Sequence, residues 1–285
     1  MVNYNIGIQL TKNSEKYLDL ISTLKRQKNI KCFHIQNNQS LKEKIHSLDI
    51  LATHRITPEV FKYADQNLKW IHFGTAGIEN SLFPEILKSK TIITNSRGIH
   101  AEPMAEFVMG NLLYFSKQFF ECEQYRNNRE WTQWDIARKM KNLNGKTIGI
   151  IGYGSIGKAI AKKARAFNMR IIATRRLQKN IVNKKTVDYL IPTSEINFLL
   201  KESDYIIICC PLTPLTKGLI GIKELSKMKS TTFIINIARG GIINESALIN
   251  SLKNKKISGA ALDVFEQEPL PEKSPLFTLK NVFLS

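Results

Sequence analysis

Short apolar runs alternate with amphipathic stretches along most of this chain. In the first hundred residues four runs have the length of buried strands, and a stretch with helical spacing of apolar residues separates the first two. The predicted strands are Tyr4–Leu10, Ile30–Ile35, Ile50–Thr53 and Trp70–Gly74, and the predicted helix is Ser14–Gln27, with a serine cap. This alternation is typical of the α/β class, in which parallel strands are joined by helical crossovers.

A second and longer alternation begins at Lys146. A long apolar helix is predicted before it, over 101–120, and Pro103 fits the first turn of that helix. The predicted strands that follow are Lys146–Ile151, Arg170–Thr174, Asp204–Cys210, Thr232–Asn236 and Ser258–Leu262. We therefore expect two α/β domains, 1–99 and 100–285, with the long helix in the second.

Composition excludes several classes of protein. The 285 residues are 43% hydrophobic and 23% charged, as in globular proteins. No apolar run of membrane-spanning length and no leader pattern occur, so we expect neither a membrane partner nor a signal peptide. Four cysteines without a CxxC pair favour a reduced, cytoplasmic setting and no metal site. The net charge of +18 is spread along the chain, which favours attraction of small anions over nucleic-acid binding.

A glycine-rich loop follows the first predicted strand of the second domain. Its six residues are Gly152, Tyr153, Gly154, Ser155, Ile156 and Gly157. Between a buried strand and an amphipathic helix, such glycines allow a tight turn, close approach of a pyrophosphate and close packing of helix on strand. The helix N-terminus then supplies N–H groups to the pyrophosphate. The alternative is a glycine turn without a ligand, and the strand–loop–helix context favours the dinucleotide.

The next predicted strand ends at Thr174, where the adenosine ribose of a dinucleotide is expected. NAD sites usually carry an acidic residue at this point, which accepts from the 2′-hydroxyl. Arg175 and Arg176 stand here instead, and guanidinium groups pair with a 2′-phosphate. We therefore expect NADP rather than NAD. The alternative is that both arginines are solvated charges at a strand end.

Polar residues also follow later strands, where ligands of open parallel sheets bind. Arg239, Asp263 and Glu268 are therefore expected near the cofactor, although each alone also fits an ion pair, a helix cap or a turn.

The glycine loop and five further segments of the chain resemble the D-isomer-specific 2-hydroxyacid dehydrogenase family. The matching segments are 73–80 (FGTAGIEN), 98–110 (GIHAEPMAEFVMG), 152–157 (GYGSIG), 210–220 (CPLTPLTKGLI), 236–248 (NIARGGIINESAL) and 259–271 (GAALDVFEQEPLP).

The resemblance implies two Rossmann-like domains that close over a cleft. The first would be a flavodoxin-like substrate domain and the second a doubly wound dinucleotide-binding domain. The helix at 101–120 would be the crossover and dimerisation segment of a homodimer.

The resemblance also implies roles for individual residues. Arg239 would hold the substrate carboxylate and polarise the keto oxygen, which gains negative charge as hydride adds. Glu268 would hydrogen-bond the family's catalytic histidine. The backbone of Ala76, Gly77 and Ile78 would cradle the substrate carboxylate. The implied cofactor contacts are Asp263 at the carboxamide, Ile237, Ala238 and Arg239 at the nicotinamide, and Cys210, Pro211 and Thr216 at the adenosine side.

The family's proton-donating histidine has no counterpart in this sequence. It is expected in a Pro-His pair just after the strand that Asn281–Leu284 resembles, and the sequence stops at Ser285. All five histidines lie at or before His100. A truncated sequence, a shortened gene and a binding-only relative are the three explanations, and an end within an apolar strand favours truncation. General acid catalysis supplies ~10²–10⁴-fold, so reduction without a donor is expected to be slow.

The sequence thus predicts a D-specific, NADP-dependent reductase of a small 2-keto acid such as glyoxylate or hydroxypyruvate. Two alternatives from other classes stay open. One is a dinucleotide-binding relative that senses or binds without efficient catalysis. The other is an anionic-polymer binder, which predicts strongly salt-dependent association.

Overall fold

Parallel sheets organise the computed structural model, which describes residues 3–22, 24, 27–176 and 182–285, with the backbone alone for 182–184. The chain forms two units, Met1–Ile99 and His100–Ser285, each with its own sheet. The predicted α/β class is confirmed. Among the described helices, none combines the length and the apolar character needed to cross a membrane.

The sheet of the first unit has five strands, all parallel, in the order β2-β1-β3-β4-β5. This is the flavodoxin-like order. The strands are β1 (Tyr4–Gln9), β2 (Ile30–His34), β3 (Ile50–Thr53), β4 (Trp70–Phe73) and β5 (Ile92–Asn95). The helices are α1 (Ser14–Ile21), α2 (Asn38–Lys44), α3 (Pro58–Phe61) and α4 (Pro84–Lys88). Leu51, Ile71 and Phe73 are fully buried in its core.

The sheet of the second unit has eight strands, in the order β13-β12-β11-β10-β6-β7-β9-β8. The strands are β6 (Thr147–Ile151), β7 (Arg170–Thr174), β8 (Val182–Lys184), β9 (Val187–Ile191), β10 (Tyr205–Ile208), β11 (Phe233–Asn236), β12 (Gly259–Leu262) and β13 (Val282–Leu284). All pairs are parallel except β8 with β9. The chain leaves β6 toward β7 and later returns to β10 on the other side, so a topological switch point lies between β6 and β10.

Helices cover both faces of this sheet, so β6 is buried along its whole length. Its Ile148 and Ile150 pack in one apolar cluster, which includes residues of the two helices on that face. Ile151 packs in the cluster on the other face. The helices are α5 (Ala101–Ser116) and α8 (Ser155–Ala166) on the first face, and α9 (Ile196–Glu202), α10 (Ile222–Leu225) and α11 (Glu245–Lys253) on the second. The predicted doubly wound architecture is therefore confirmed.

In each unit an aspartate carboxylate links the two strands on either side of the topological switch point, and this contact is called the aspartate tie below. The Asp49 carboxylate accepts from the Asn5 N–H at 2.9 Å and from Lys69 Nζ at 3.0 Å, and its own N–H donates to the Asn5 carbonyl at 2.9 Å. In the second unit the Asp204 carboxylate accepts from the Thr147 N–H at 2.9 Å and from Lys229 Nζ at 3.1 Å, and the Asp204 N–H donates to the Thr147 carbonyl at 2.9 Å. One carboxylate thus fixes the start of β3 on β1, and the other fixes β10 on β6.

The predicted single helix over 101–120 is wrong. α5 ends at Ser116, Gln118 adopts a left-handed conformation with φ 54°, and a new helix begins at Phe119. The side chain of Gln118 donates to the Phe115 carbonyl at 2.6 Å, so a local amide satisfies the helix end. The helices of this segment are α6 (Phe119–Asn128) and α7 (Gln133–Lys139). The two phenylalanines that suggested a continuous apolar helix are exposed.

Other element bounds differ from the prediction in smaller ways. α1 is capped by Asn13, whose side chain accepts from Lys16 N–H, and it ends at Ile21 rather than Gln27; residues 23, 25 and 26 lie outside the described chain. The strands β5, β8 and β9 were not predicted. They are short or carry polar residues, as in VDYLI, so their apolar periodicity is weak.

Candidate functional site

The glycine loop leaves β6 at the switch point and turns directly into α8. Gly152 has φ +110°, and a Cβ there would lie 2.7 Å from the Cys210 nitrogen, so this position requires glycine. A Cβ on Gly157 would lie 2.3 Å from the Gly152 carbonyl oxygen. Both glycines therefore serve tight packing of the loop, at the end of the central strand.

The start of α8 presents backbone donors. Its N-cap is Gly154, which has no side chain with which to cap the helix. The first intrahelical bond runs from the Lys158 N–H to the Gly154 carbonyl at 3.0 Å. The N–H groups of Ser155, Ile156 and Gly157 precede that bond and have no intrahelical acceptor. This arrangement fits a pyrophosphate, because unpaired N–H groups and the helix dipole both favour an anion.

The loop is also bonded to the end of β7. The Gly152 N–H donates to Thr174 Oγ1 at 3.2 Å, and the Tyr153 N–H donates to the Thr174 carbonyl at 2.8 Å. The chain then continues into Arg175 and Arg176, whose side chains are exposed. Neither guanidinium group has a hydrogen bond or ion pair with the described part of the chain. The predicted ribose-end residues thus lie beside the glycine loop.

On the other side of the loop, β10 runs into Cys209, Cys210 and Pro211. Burial raises the pKa of the Cys210 thiol to about 11, so this thiol is protonated at neutral pH. The hydroxyl of Thr216 donates to the Pro211 carbonyl at 2.7 Å and accepts from the Thr213 N–H at 2.7 Å. Thr216 therefore closes the turn that follows Pro211.

Asn236, a residue that was not predicted, organises the turn at Arg239. Its side chain donates to the Arg239 carbonyl at 3.0 Å and accepts from the Ala238 N–H at 3.1 Å, while its own carbonyl accepts from the Asp263 N–H at 3.1 Å. Ile237 and Ala238 are buried, and Arg239 is exposed with one guanidinium nitrogen 2.7 Å from the Ala238 carbonyl. A buried polar residue at a strand end, as in TFIIN, is the signal that could have identified Asn236.

Asp263 and Glu268 occupy the loop after β12. Asp263 Oδ1 accepts from Ser285 Oγ at 3.1 Å. Glu268 is exposed and its Oε1 accepts from the Phe265 N–H at 3.1 Å. The predicted residues of the second unit thus all lie at or after the carboxyl ends of β6, β7, β10, β11 and β12, which are neighbours in the sheet.

In the first unit, the loop Ala76–Ile78 follows the carboxyl end of β4. Asn95 donates to the Ala76 carbonyl at 2.7 Å, and Thr75 Oγ1 donates to the Gly77 carbonyl at 3.1 Å. The N–H groups of Ala76, Gly77 and Ile78 donate to no acceptor among the described residues. The loop therefore has its carbonyl groups bonded within the unit and its N–H groups available to an anion.

Comparison with known proteins identifies the family. The family model described as "D-isomer specific 2-hydroxyacid dehydrogenase, NAD binding domain" matches residues 109–285. The chain belongs to this family. The dehydrogenase is 37% identical over 253 residues to a glyoxylate reductase of Thermococcus gammatolerans. The aligned residues cover 86% of this chain and 74% of that protein. It is 36% identical over 255 residues to a glyoxylate reductase of Pyrococcus furiosus, with 87% and 74% covered.

A solved structure has the same fold. The D-isomer specific 2-hydroxyacid dehydrogenase family protein from Aeromonas salmonicida superimposes with a TM-score of 0.81 at 25% identity, covering 99% of the dehydrogenase and 88% of that chain. The protein is therefore an oxidoreductase that uses a nicotinamide dinucleotide and acts on a 2-hydroxy or 2-keto acid. The sequence-based assignment to the family is confirmed.

Proposed function

We propose that this dehydrogenase is a D-specific reductase of a small 2-keto acid, with glyoxylate and hydroxypyruvate as expected substrates, and that it uses NADP(H). The relatives named glyoxylate reductase support the substrate class. The observation that carries the cofactor preference is the pair Arg175–Arg176 directly after β7. A 2′-phosphate pairs with two guanidinium groups, whereas a 2′-hydroxyl at this position needs a carboxylate acceptor.

The bound cofactor supplies a hydride to the keto carbon, and the protein's groups bind and orient the reactants. In this proposal the N–H groups of residues 155–157 bind the pyrophosphate. The Arg239 guanidinium group holds the substrate carboxylate and stabilises the negative charge that develops on the keto oxygen. Ile237 and Ala238 would line the nicotinamide, and Asp263 would contact its carboxamide. Cys210, Pro211 and Thr216 would border the adenosine.

Two further residue assignments belong to the proposal. The free N–H groups of Ala76, Gly77 and Ile78 support a role in binding the substrate carboxylate. Glu268 has one carboxylate oxygen on the Phe265 N–H, so its second oxygen can accept from the imidazole N–H of the family's proton-donating histidine, which has no counterpart among these 285 residues. A carboxylate in that position would keep the imidazole protonated and ready to donate to the new hydroxyl oxygen.

We also propose a homodimer formed through the second unit, with residues 117–140, which follow α5, in place of the dimerisation helix expected over 101–120. The Lys141 N–H donates to the Ser116 carbonyl at 2.7 Å, so the two ends of this segment meet. Between them Trp131 is 79% exposed and Trp134 69% exposed. Large aromatic side chains exposed together are typical of an interface rather than of a free surface.

The test measures dissociation constants of NADPH and NADH by fluorescence titration, and cofactor oxidation on addition of glyoxylate or hydroxypyruvate. We expect tighter binding of NADPH and keto-acid-dependent oxidation. The Arg239→Ala variant should lower the rate about 10²–10³-fold, as loss of an oxyanion-stabilising group does. Equal affinities would contradict the NADP assignment. Binding of NADPH without any oxidation would favour the binding-only relative.

A further inference from the structure

Cys209 contacts the phosphate loop through both its backbone and its side chain. It directly follows β10, and its N–H donates to the Ile151 carbonyl at 3.0 Å. Its Sγ lies 3.0 Å from the next carbonyl oxygen, that of Gly152. One residue, just past the end of the neighbouring strand, therefore binds two consecutive carbonyl groups where β6 becomes the loop.

The Gly152 carbonyl is the point at which the parts of the loop meet. Besides the thiol, it accepts from the Gly154 N–H at 3.0 Å. The Cα of Gly157 also packs so closely that a Cβ would lie 2.3 Å from this oxygen. The direction of one carbonyl group thus fixes both Gly154 and the first turn of α8 relative to the sheet.

The thiol can act only as the donor in this contact, because a carbonyl oxygen has no proton to give. Burial, together with the neighbouring Cys210, raises the pKa of the Cys209 thiol well above its usual range. The sulfur therefore keeps its proton at neutral pH. The side chain is partly buried and packs on the apolar cluster beneath the loop, which holds the sulfur in place.

We propose that Cys209 is a positioning residue for the dinucleotide. Its thiol holds the Gly152 carbonyl and so aims the N–H groups of residues 155–157 at the pyrophosphate. The inference rests on the proposed cofactor site at 152–157. Because NADPH and NADH share the pyrophosphate, Cys209 supports the binding of both to the same extent, unlike the arginines that follow β7.

The experiment compares the NADPH and NADH dissociation constants of Cys209→Ala, Cys209→Val and Cys209→Ser with those of the unsubstituted protein. The alanine and valine variants lack the donor, and valine keeps most of the side-chain volume. We expect both cofactors to bind about three- to tenfold more weakly in these two variants, as for loss of one hydrogen bond. The serine variant, with a hydroxyl donor, should bind within about twofold of the unsubstituted protein. The KM for the keto acid should stay the same.

The matched control is Cys32→Ala, which removes a partly buried thiol in β2 and should leave cofactor binding unchanged. Equal losses in the serine and valine variants would overturn the proposal, since a hydroxyl donor would then fail to restore binding. Normal binding in Cys209→Val would also overturn it. Thermal unfolding of each variant separates loss of binding from loss of folding.

Gly154→Val tests the underlying site separately. A branched side chain at the N-cap of α8 would block the pyrophosphate, so we expect binding of both cofactors to be lost. Normal binding in this variant would contradict the phosphate loop itself. Loss in Gly154→Val together with normal binding in Cys209→Val would contradict only the role of Cys209.

Discussion

At the scale of single residues, Arg175 and Arg176 are expected to decide the preference for NADPH over NADH. Replacing both with serine should weaken NADPH binding by about 100-fold or more, because charge-assisted hydrogen bonds contribute roughly 1.5–3 kcal/mol each and two are lost. NADH binding should change less than about twofold, since NADH has no 2′-phosphate. The two dissociation constants can be measured by fluorescence titration.

The matched control for the arginine variant is Lys253→Ser with Lys256→Ser. These exposed lysines lie at the end of α11 and before β12, a strand separated from β7 by β11, β10 and β6, and their replacement removes the same charge. The NADPH affinity of this control should equal that of the unsubstituted protein. A similar loss in both double variants would mean that net charge, and not contact with the phosphate, sets the affinity.

At the scale of elements, Gly149 sets how closely α9 packs on β6. A Cβ there would lie 2.3 Å from Ser203 Oγ and 2.5 Å from a Leu199 methyl carbon, both in the buried layer. Gly149→Ala should therefore lower the free energy of unfolding by about 1–3 kcal/mol through overpacking. Urea unfolding measures this change in the free energy of unfolding. Gly110→Ala is the control, because no atom lies within 4 Å of its added Cβ and alanine in α5 should stabilise by about 0.5–1 kcal/mol. Destabilisation by both variants would contradict this account.

The aspartate tie of the first unit predicts a pH dependence of stability. The Asn5 N–H and Lys69 lower the pKa of Asp49 below its unfolded value. The stability that Asp49 contributes is therefore present above the unfolded pKa and is lost as the pH falls through the lower folded pKa. Between about pH 5 and pH 3 the unfolding free energy of the unsubstituted protein should fall more steeply than that of Asp49→Asn.

Chemical unfolding at a series of pH values checks this expectation. Asp19→Asn removes an exposed carboxylate of α1 and serves as the control, which should keep the slope of the unsubstituted protein. Parallel pH profiles for Asp49→Asn and the unsubstituted protein would show that the tie contributes nothing to the acid sensitivity.

At the scale of the whole molecule, the proposed dimer depends on the exposed aromatic segment 117–140. The unsubstituted protein should sediment at twice 32.6 kDa, and the variant with Trp131→Ala and Trp134→Ala should sediment as a monomer at micromolar concentration. Buried aromatic anchors typically contribute 2 kcal/mol or more each to an interface. Trp70→Ala, in the other unit, should remain dimeric, and a double tryptophan variant that also stays dimeric would remove this segment from the interface.

The fold class and the placement of the candidate residues of the second unit at strand ends were accessible from sequence, because both depend on local patterns. A buried strand, three glycines and a helix are contiguous in the chain, and so are each strand and the polar residue that follows it. The break at Gln118 was not accessible, because the apolar pattern continues into Phe119 and Phe120, which are exposed in the fold. The edge strands β5 and β8 were missed for lack of periodicity.

The pattern TFIIN could have marked Asn236 as a buried polar residue, but the hydrogen-bond partners of Asn236 and Cys209 on neighbouring strands were beyond sequence reasoning. Each acts through hydrogen bonds to residues on neighbouring strands, at Asp263 and Gly152, and sequence spacing does not show which strands are neighbours. The location of strand ends was predictable, whereas the side chains that hold those ends together required the sheet order. Networks of this kind depend on tertiary geometry rather than on local propensity.

The packing of the glycine loop on Cys209 and Cys210 has a consequence for how the protein is made. The contact joins residues 57 positions apart, so a nascent chain that has emerged only through β7 contains the glycine motif but no complete binding site. At the proposed site, the dinucleotide would therefore stabilise only chains in which β10 has joined the sheet. At a hundredfold excess over its dissociation constant it adds about 2.7 kcal/mol to that state. The cofactor, oxidised or reduced, would then stabilise newly synthesised copies against unfolding only from that stage onward.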